Sequence, residues 1–478
     1  MARVDGGMLS RLLTTTALLL ALWTASAADA SKRPNILFCL ADDWGYPHAG
    51  AYGDNVVRTP AFDRVAKEGV LFTHAFSAAP SCTPSRAAIL TGRAPHALRE
   101  DANLWSTLSK DIPTYVEVLT RAGYTCGSTR KGWGPGNNAA GGRTSPPAGK
   151  TFKDFDAFLE TVPAGDPFCF WFGGFDPHRP SDKGTGAAAG LNPTNVVVPK
   201  YWPDTAEVRS DVLDYHLEVE RFDRDVGALL AKLEARGELD NTLIVITGDN
   251  GMPFPRCKAN VYDGGSRQPF AVRWPAHFSG GRTNDAFVNL YDLSATFLDA
   301  AGLKPLKEMA SRSILPLCRG EHAEDRSMVF LERERHANVR PENAGYPIRA
   351  VRTKDYLYIR NLRPDRWPAG DPVLVHSVGP FGDCDDGPTK QAILADRSSE
   401  AGKPFFDLCF GKRPAEELYD LRRDPDQITN LADKPELART KERLQAALET
   451  WRRETGDPRI EKDDDWFDSV GYFGAPMK

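Results

Sequence analysis

Four short runs punctuate the chain, at residues 35–40 (NILFCL), 123–128 (GYTCGS), 168–172 (FCFWF) and 243–247 (LIVIT). Each is of strand rather than helix length, so each predicts a buried strand. Between the last two, Val212, Tyr215, Val219, Phe222, Val226, Leu229 and Leu233 recur at steps of three and four. That spacing lays them along one face of a single long helix. Strands alternating with helices predict an α/β fold, a mainly parallel sheet flanked by helices on both sides. Residues 135–150 and 181–200, rich in Gly, Pro and Ala, predict surface loops around a cleft. The texture changes near residue 345. Residues 348–359 (IRAVRTKDYLYI) alternate in the manner of an exposed antiparallel strand, and a last helix is expected over about 434–453. The expected organisation is a catalytic domain over 31–345 and a smaller C-terminal α+β domain over 346–478 with a small antiparallel sheet.

The first 30 residues stand apart. Arg3 and Arg11 precede an apolar stretch, and Ala25, Ser26 and Ala27 follow it. This reads as a secretory signal cleaved near residues 27–30, hence a secreted or periplasmic protein. No later segment offers 18 consecutive apolar residues, so no membrane span is expected. Asn192 is followed by Pro193, which leaves no N-x-S/T acceptor and favours a bacterial product. A net charge of −5 argues against a nucleic-acid partner, and any anionic substrate must be held by a local pocket. The eight cysteines form no C-x-x-C pair, which disfavours a zinc ribbon; disulfides are allowed, with their pairing open.

Ligands of open α/β sheets bind beyond the carboxyl ends of the strands. There stand Asp42 and Asp43 after the first run, Lys131 after the second, His178 after the third, and Asp249 and Asn250 after the fourth. Either acidic pair alone reads as a helix cap or a turn. Gathered together, three carboxylates and an amide oxygen repel one another unless a hard cation, Ca²⁺ or Mg²⁺, lies between them. Cys82 alone reads as a small buried hydrophobe. However, Pro84, read as the first helical residue, with Ser85 and Arg86 after it, sets residue 82 at a helix N-terminus, where an anion is favoured. The Arg86 fork suits sulfate or phosphate oxygens.

The run C-T-P-S-R followed by A-A-I-L-T-G-R resembles the signature of the sulfatase family, C-x-P-S-R. RPNILFCLADDWG, GDNGMPFPRCK and ELYDLRRDPDQITNLA are similar to that family's opening strand, second metal segment and C-terminal signature, so the resemblance spans nearly the whole mature chain. DNGMPFP, FDPHRP and YPIRAVRT are most similar to its heparan sulfamidase branch and bacterial relatives. The resemblance implies an alkaline-phosphatase-like fold and a formylglycine (3-oxoalanine) made from Cys82 by a maturation enzyme. It implies Ca²⁺ held by Asp42, Asp43, Asp249, Asn250 and the modified Cys82. It gives Arg86 the formylglycine hydrate and the sulfuryl group, Lys131 and Lys258 the sulfate, and His178 the protonation of the leaving group. The implied substrate is a sulfated saccharide, N-sulfated on glucosamine in that branch. Other readings are an O-sulfatase on another sulfated polysaccharide, a phosphonate or phosphodiester hydrolase, and an inactive glycan-binding homologue.

There is one departure. The family commonly carries a histidine two residues beyond the first lysine, and this chain has Trp133 there; an alignment with Arg130 in the lysine slot is also open. The charge run Arg333, Arg335, His336, Arg340 reads by default as a solvated loop. Its place just before the expected domain boundary nominates Arg335 and His336 as saccharide contacts. His48 and His74 read as structural, and His216 as solvated or bonded to a neighbour.

Overall fold

The computed structural model describes residues 33–321, 325–373, 379–461 and 465–474; the expected signal segment lies outside them. Strands β1 (Asn35–Ala41), β2 (Val70–Phe76), β3 (Thr125–Arg130), β4 (Lys150–Phe152), β5 (Phe168–Gly173), β6 (Thr242–Gly248), β7 (Arg267–Arg273) and β8 (Arg282–Asn289) form one sheet in the order β4-β3-β5-β1-β6-β7-β2-β8. From β4 to β6 every pair is parallel. Strand β7 then runs antiparallel to both β6 and β2, and β8 pairs parallel with β2. Strands β1 and β6 are buried along their whole length, which is why they read as unbroken apolar runs. Alternate residues of β1 enter two separate cores: Leu37 and Cys39 one, Ile36, Phe38 and Leu40 the other. A strand's side chains alternate between its faces, so helices cover both sides of the sheet.

Helices α1 (Pro60–Glu68), α2 (Cys82–Thr91) and α3 (Ala206–Ala235) lie in this larger unit. The expected stripe of α3 is buried at every one of its seven positions. Asp223 of α3 also accepts the amides of Ala61 and Phe62 at 2.9 and 2.8 Å, satisfying orphan donors at the start of α1.

Strands β9 (Met328–Arg333), β10 (Ile348–Thr353), β11 (Tyr356–Asn361) and β12 (Glu416–Asp420) form a smaller antiparallel sheet in the order β12-β11-β10-β9. Its first strand thus precedes residue 345. The stretch 348–359 is a hairpin, not a single exposed strand, and it is largely buried. Val351 and Tyr358 pack on Leu444, Leu448 and Trp451 of α4 (Ala438–Glu454). Ile348, Ala350, Leu357 and Ile359 pack on Phe76 and Phe287 of the large sheet. The alternation therefore separates two covered faces, not core from solvent. Among the described residues no helix is long and apolar enough to cross a membrane. All eight cysteines are free thiols.

Candidate active site

The tips of β1 and β6 bring Asp42, Asp43, Asp249 and Asn250 together, all buried. Asp43 sits at φ 71°, in the left-handed region that non-glycine residues seldom occupy, and its amide donates to Asp249 Oδ1 at 3.0 Å. Helix α2 begins at Cys82, not at Pro84: Ser81 is the extended residue before it. The proline falls within the first turn, where its missing N–H would have had no partner anyway. The Cys82 Sγ lies 3.4 Å from Asp42 Oδ1 and 4.0 Å from Asp43 Oδ1. Burial, and then Asp42, push its thiol pKa well above the ordinary value.

Four cationic or titratable side chains close on this cluster. Arg86, fully buried, donates through Nε to Asp249 Oδ2 at 2.7 Å and through Nη1 to the carbonyls of Lys131 and Gly132 at 2.6 and 3.0 Å. Its Nη2 has no hydrogen-bond partner and lies 3.6 Å from Asp42 Oδ1. Lys131 Nζ donates to Asp42 Oδ2 at 2.5 Å, and Lys258 Nζ to Asp43 Oδ2 at 2.8 Å. Burial opposes charge on both lysines, yet the facing carboxylates prevail and raise their pKa values. Arg130, in the left-handed region at φ 58°, turns away from Lys131 to pair with Asp225, so the structure brings Lys131 and not Arg130 to the cluster. His178 Nδ1 donates to the Arg179 carbonyl at 2.6 Å, which leaves Nε2 facing Asp43 Oδ2 at 3.8 Å.

The carboxylates are crowded. Burial pushes Asp249 up to about 6, with Arg86 only partly offsetting it and Asp42 adding to it. Asn250 donates to Asp43 Oδ1 at 2.7 Å, but its own Oδ1 is buried without a hydrogen-bond partner. An orphan amide oxygen among three buried carboxylates is a donor set of hard oxygens, and it fits Ca²⁺ or Mg²⁺.

The Lys131 turn is held by backbone. Its amide donates to the Gly173 carbonyl at 3.0 Å, and a Cβ on Gly173 would stand 1.7 Å from the Lys131 carbonyl oxygen. A Gly173→Ala substitution must push that turn away. Misplacement of about 1 Å costs on the order of 100-fold in turnover. We expect that loss in kcat/KM with an unchanged circular dichroism spectrum, and unchanged kinetics would show that the turn's position is immaterial.

The histidine slot two residues past Lys131 holds Trp133, whose Nε1 donates to the buried Asp101 carboxylate at 2.9 Å. The charge run that begins at the last residue of β9 is not solvated. Arg333 and Arg340 share the Asp383 carboxylate, and all four of its polar residues are buried. Arg335 donates through both Nη atoms to the carbonyls of Val470 and Gly471. His336 Nδ1 meets Ser81 Oγ at 2.8 Å, one residue from Cys82. Asp385, which sequence reasoning missed, takes Lys258 Nζ at 3.1 Å, and its carboxylate falls with those of Asp43 and the ring of His178 in one group. Its only signal in the sequence is a CDDGP stretch that reads as a turn.

Residues 34–303 match the family model described as Sulfatase, and residues 257–371 match the model described as N-sulphoglucosamine sulphohydrolase, C-terminal. The chain is 29% identical to human N-sulphoglucosamine sulphohydrolase, over 89% of this chain and 91% of that protein. It is 30% identical to an ulvan-active sulfatase of Formosa agariphila, over 89% and 81% of the two chains. A solved structure in complex with D-glucosamine-2-N,6-O-disulfate superposes with a TM-score of 0.64 at 20% identity, over 91% of this chain and all of that one, and shares the fold. With a helix-borne Cys-x-Pro-Ser-Arg facing a buried acidic cluster at the strand tips, the chain belongs to the sulfatase family, enzymes that hydrolyse sulfuric esters and sulfamidates.

Proposed function

We propose that this enzyme removes sulfate from a sulfated saccharide, an N-sulfated glucosamine residue being the first choice. The observation that carries this reading is the convergence of Cys82, Arg86, Lys131, Lys258 and His178 on the four residues Asp42, Asp43, Asp249 and Asn250. The sulfamidase-type C-terminal match and the human relative favour the N-sulfated substrate. The ulvan-active relative keeps an ester of another polysaccharide as the second reading.

The four oxygen-bearing side chains, with residue 82, would hold Ca²⁺ or Mg²⁺, which supplies positive charge for the sulfuryl oxygens and for a deprotonated nucleophile. Residue 82, beside the Asp42 and Asp43 oxygens, is the position for a formylglycine, which would supply a geminal diol, one hydroxyl for attack on sulfur and the other for release of sulfate. Arg86 binds through Nη2, the nitrogen its neighbours leave without a hydrogen bond. Lys131 and Lys258 hold further sulfuryl oxygens from two sides. The Arg179 carbonyl fixes the His178 proton on Nδ1, so Nε2 is the atom that delivers a proton to the departing nitrogen or oxygen. On the saccharide side we assign His336, set beside Cys82 by Ser81, with Arg335 acting through the backbone it bonds. Residues 1–30 serve as the export signal, which N-terminal sequencing of the mature protein checks.

Assay of N-sulfated and ester-sulfated glucosamine saccharides for released inorganic sulfate tests the reading. We expect sulfate from the N-sulfated compound and a peptide around residue 82 lighter by about 18 Da, the mass lost when a thiol becomes an aldehyde. Release of phosphate from a phosphonate or diester without any sulfate release would overturn it. Ca²⁺ is expected to raise the Tm of the wild type, by linkage, and to lose that effect in Asp249→Asn.

A further inference from the structure

Away from the acidic cluster, two side chains of the segment after β1 and one of α3 meet at single donor atoms. His216 Nε2 lies 3.0 Å from His48 Nδ1, His48 Nδ1 lies 3.1 Å from Asp54 Oδ2, and His216 Nε2 lies 3.9 Å from Asp54 Oδ2. We infer that His48, Asp54 and His216 form a second metal site, for a transition-metal dication of the zinc class.

The geometry carries this. Ligands about 2.0–2.1 Å from a tetrahedral zinc stand about 3.3 Å apart, and the three observed edges scatter around that length. Hydrogen bonding explains the triangle less well. His48 Nδ1 carries at most one proton, yet it faces the Asp54 carboxylate and the His216 ring nitrogen at once. Buried His216 makes its polar contact only at Nε2, since its Nδ1 has no hydrogen-bond partner. A cation at the centre engages all three lone pairs at once. The carboxylate is pre-aimed for it: Asp54 Oδ1 accepts the amides of Val56 and Val57 at 2.8 and 3.3 Å, which turns Oδ2 toward the rings. Two imidazoles and one carboxylate suit Zn²⁺ and its transition-metal neighbours, and offer too few oxygens for Ca²⁺. His48 and Asp54 keep 14% and 11% of their side-chain surface exposed, which leaves an entry path and a fourth position for water.

The site ties two functional elements together. The segment bearing His48 and Asp54 continues directly from Asp42 and Asp43. His216 follows Tyr215, whose hydroxyl donates to the Asp43 carbonyl and accepts the Gly45 amide, both at 3.0 Å. A bound ion would fasten that segment to α3 and so steady the carboxylate pair.

Full-length protein stripped of metal, then saturated with Ca²⁺ to fill the oxygen cluster, is titrated with Zn²⁺ against a chromophoric chelator and separately with Co²⁺. We expect uptake of one Zn²⁺, a higher Tm, and the intense visible bands of tetrahedral Co²⁺. His48→Gln combined with His216→Gln should weaken Zn²⁺ binding at least about 100-fold, while Asp42→Asn keeps it. Equal Zn²⁺ uptake by wild type and double variant, or no uptake by the wild type, overturns the site. Should the double variant fail to fold, the Co²⁺ spectrum of the wild type decides alone, because weak octahedral bands exclude a tetrahedral site of nitrogen and oxygen donors.

Discussion

Cys82→Ala is expected to lower sulfate release by roughly 10⁴-fold or more, the scale at which hydrolases lose activity without their nucleophile. The variant should remain folded. Cys82 lies at the first position of α2 with one side-chain contact set, the Asp42 and Asp43 oxygens at 3.4 and 4.0 Å, and no helix hydrogen bond depends on its sulfur. Deleting that atom should cost about 1 kcal/mol of stability, an ordinary value for a point substitution. Urea denaturation and the rate of sulfate release, measured on the same preparation, separate the two effects. The prediction is specific because neighbouring groups that also touch the acidic residues, Lys131 and Lys258, can compensate each other's charge. In the proposed mechanism no other residue of the described cluster would supply the carbon that carries the two hydroxyls. Undiminished turnover in the alanine variant would move the chemistry elsewhere.

The parts of this arrangement legible in the sequence are those written in local pattern. Strands β1 and β6 are buried on both faces and so appear as continuous apolar runs, and the rule that ligands lie beyond such strands leads straight to Asp42, Asp43, Asp249 and Asn250. The α3 stripe is legible because one helix face is buried over its length. What pattern could not show is pairing across sequence distance. Arg333 and Arg340 read as solvated because their shared partner, Asp383, sits on a loop beyond β11. Asp385 reaches Lys258 from that same loop, and His48 meets His216 only because α3 crosses the segment after β1. The β10–β11 hairpin escaped for a local reason: its turn at Lys354 and Asp355 lacks the Asn-Gly or Gly-rich signature that marks a tight reversal, and it keeps the alternation going.

Arg86 is where fold and chemistry are hardest to separate, and the expected behaviour of two substitutions separates them. Its guanidinium joins Asp249 of the β6 tip to the carbonyls of the Lys131 turn, wholly out of water. Arg86→Ala takes the guanidinium from the buried Asp249 carboxylate, which keeps only the Asp43 amide, and from the carbonyls of Lys131 and Gly132, of which Lys131 keeps the Trp171 indole N–H; removing one partner of a buried ion pair costs about 3–5 kcal/mol, a large share of the roughly 5–15 kcal/mol available to a folded protein. Arg86→Lys restores a charge beside Asp249 but cannot reach the carbonyls and a sulfuryl oxygen together, because an ammonium lacks the planar fork. It should therefore recover part of the stability while kcat/KM stays depressed. Pairing Arg86→Ala with Asp249→Asn tests the physical cause. If the buried ion pair accounts for the loss, the double variant is less unstable than the two single losses added, by more than about 0.5 kcal/mol. Simple additivity in urea denaturation would mean that Arg86 stabilises the fold through the backbone carbonyls and not through Asp249, and that the acidic cluster does not set the stability of the β6 tip.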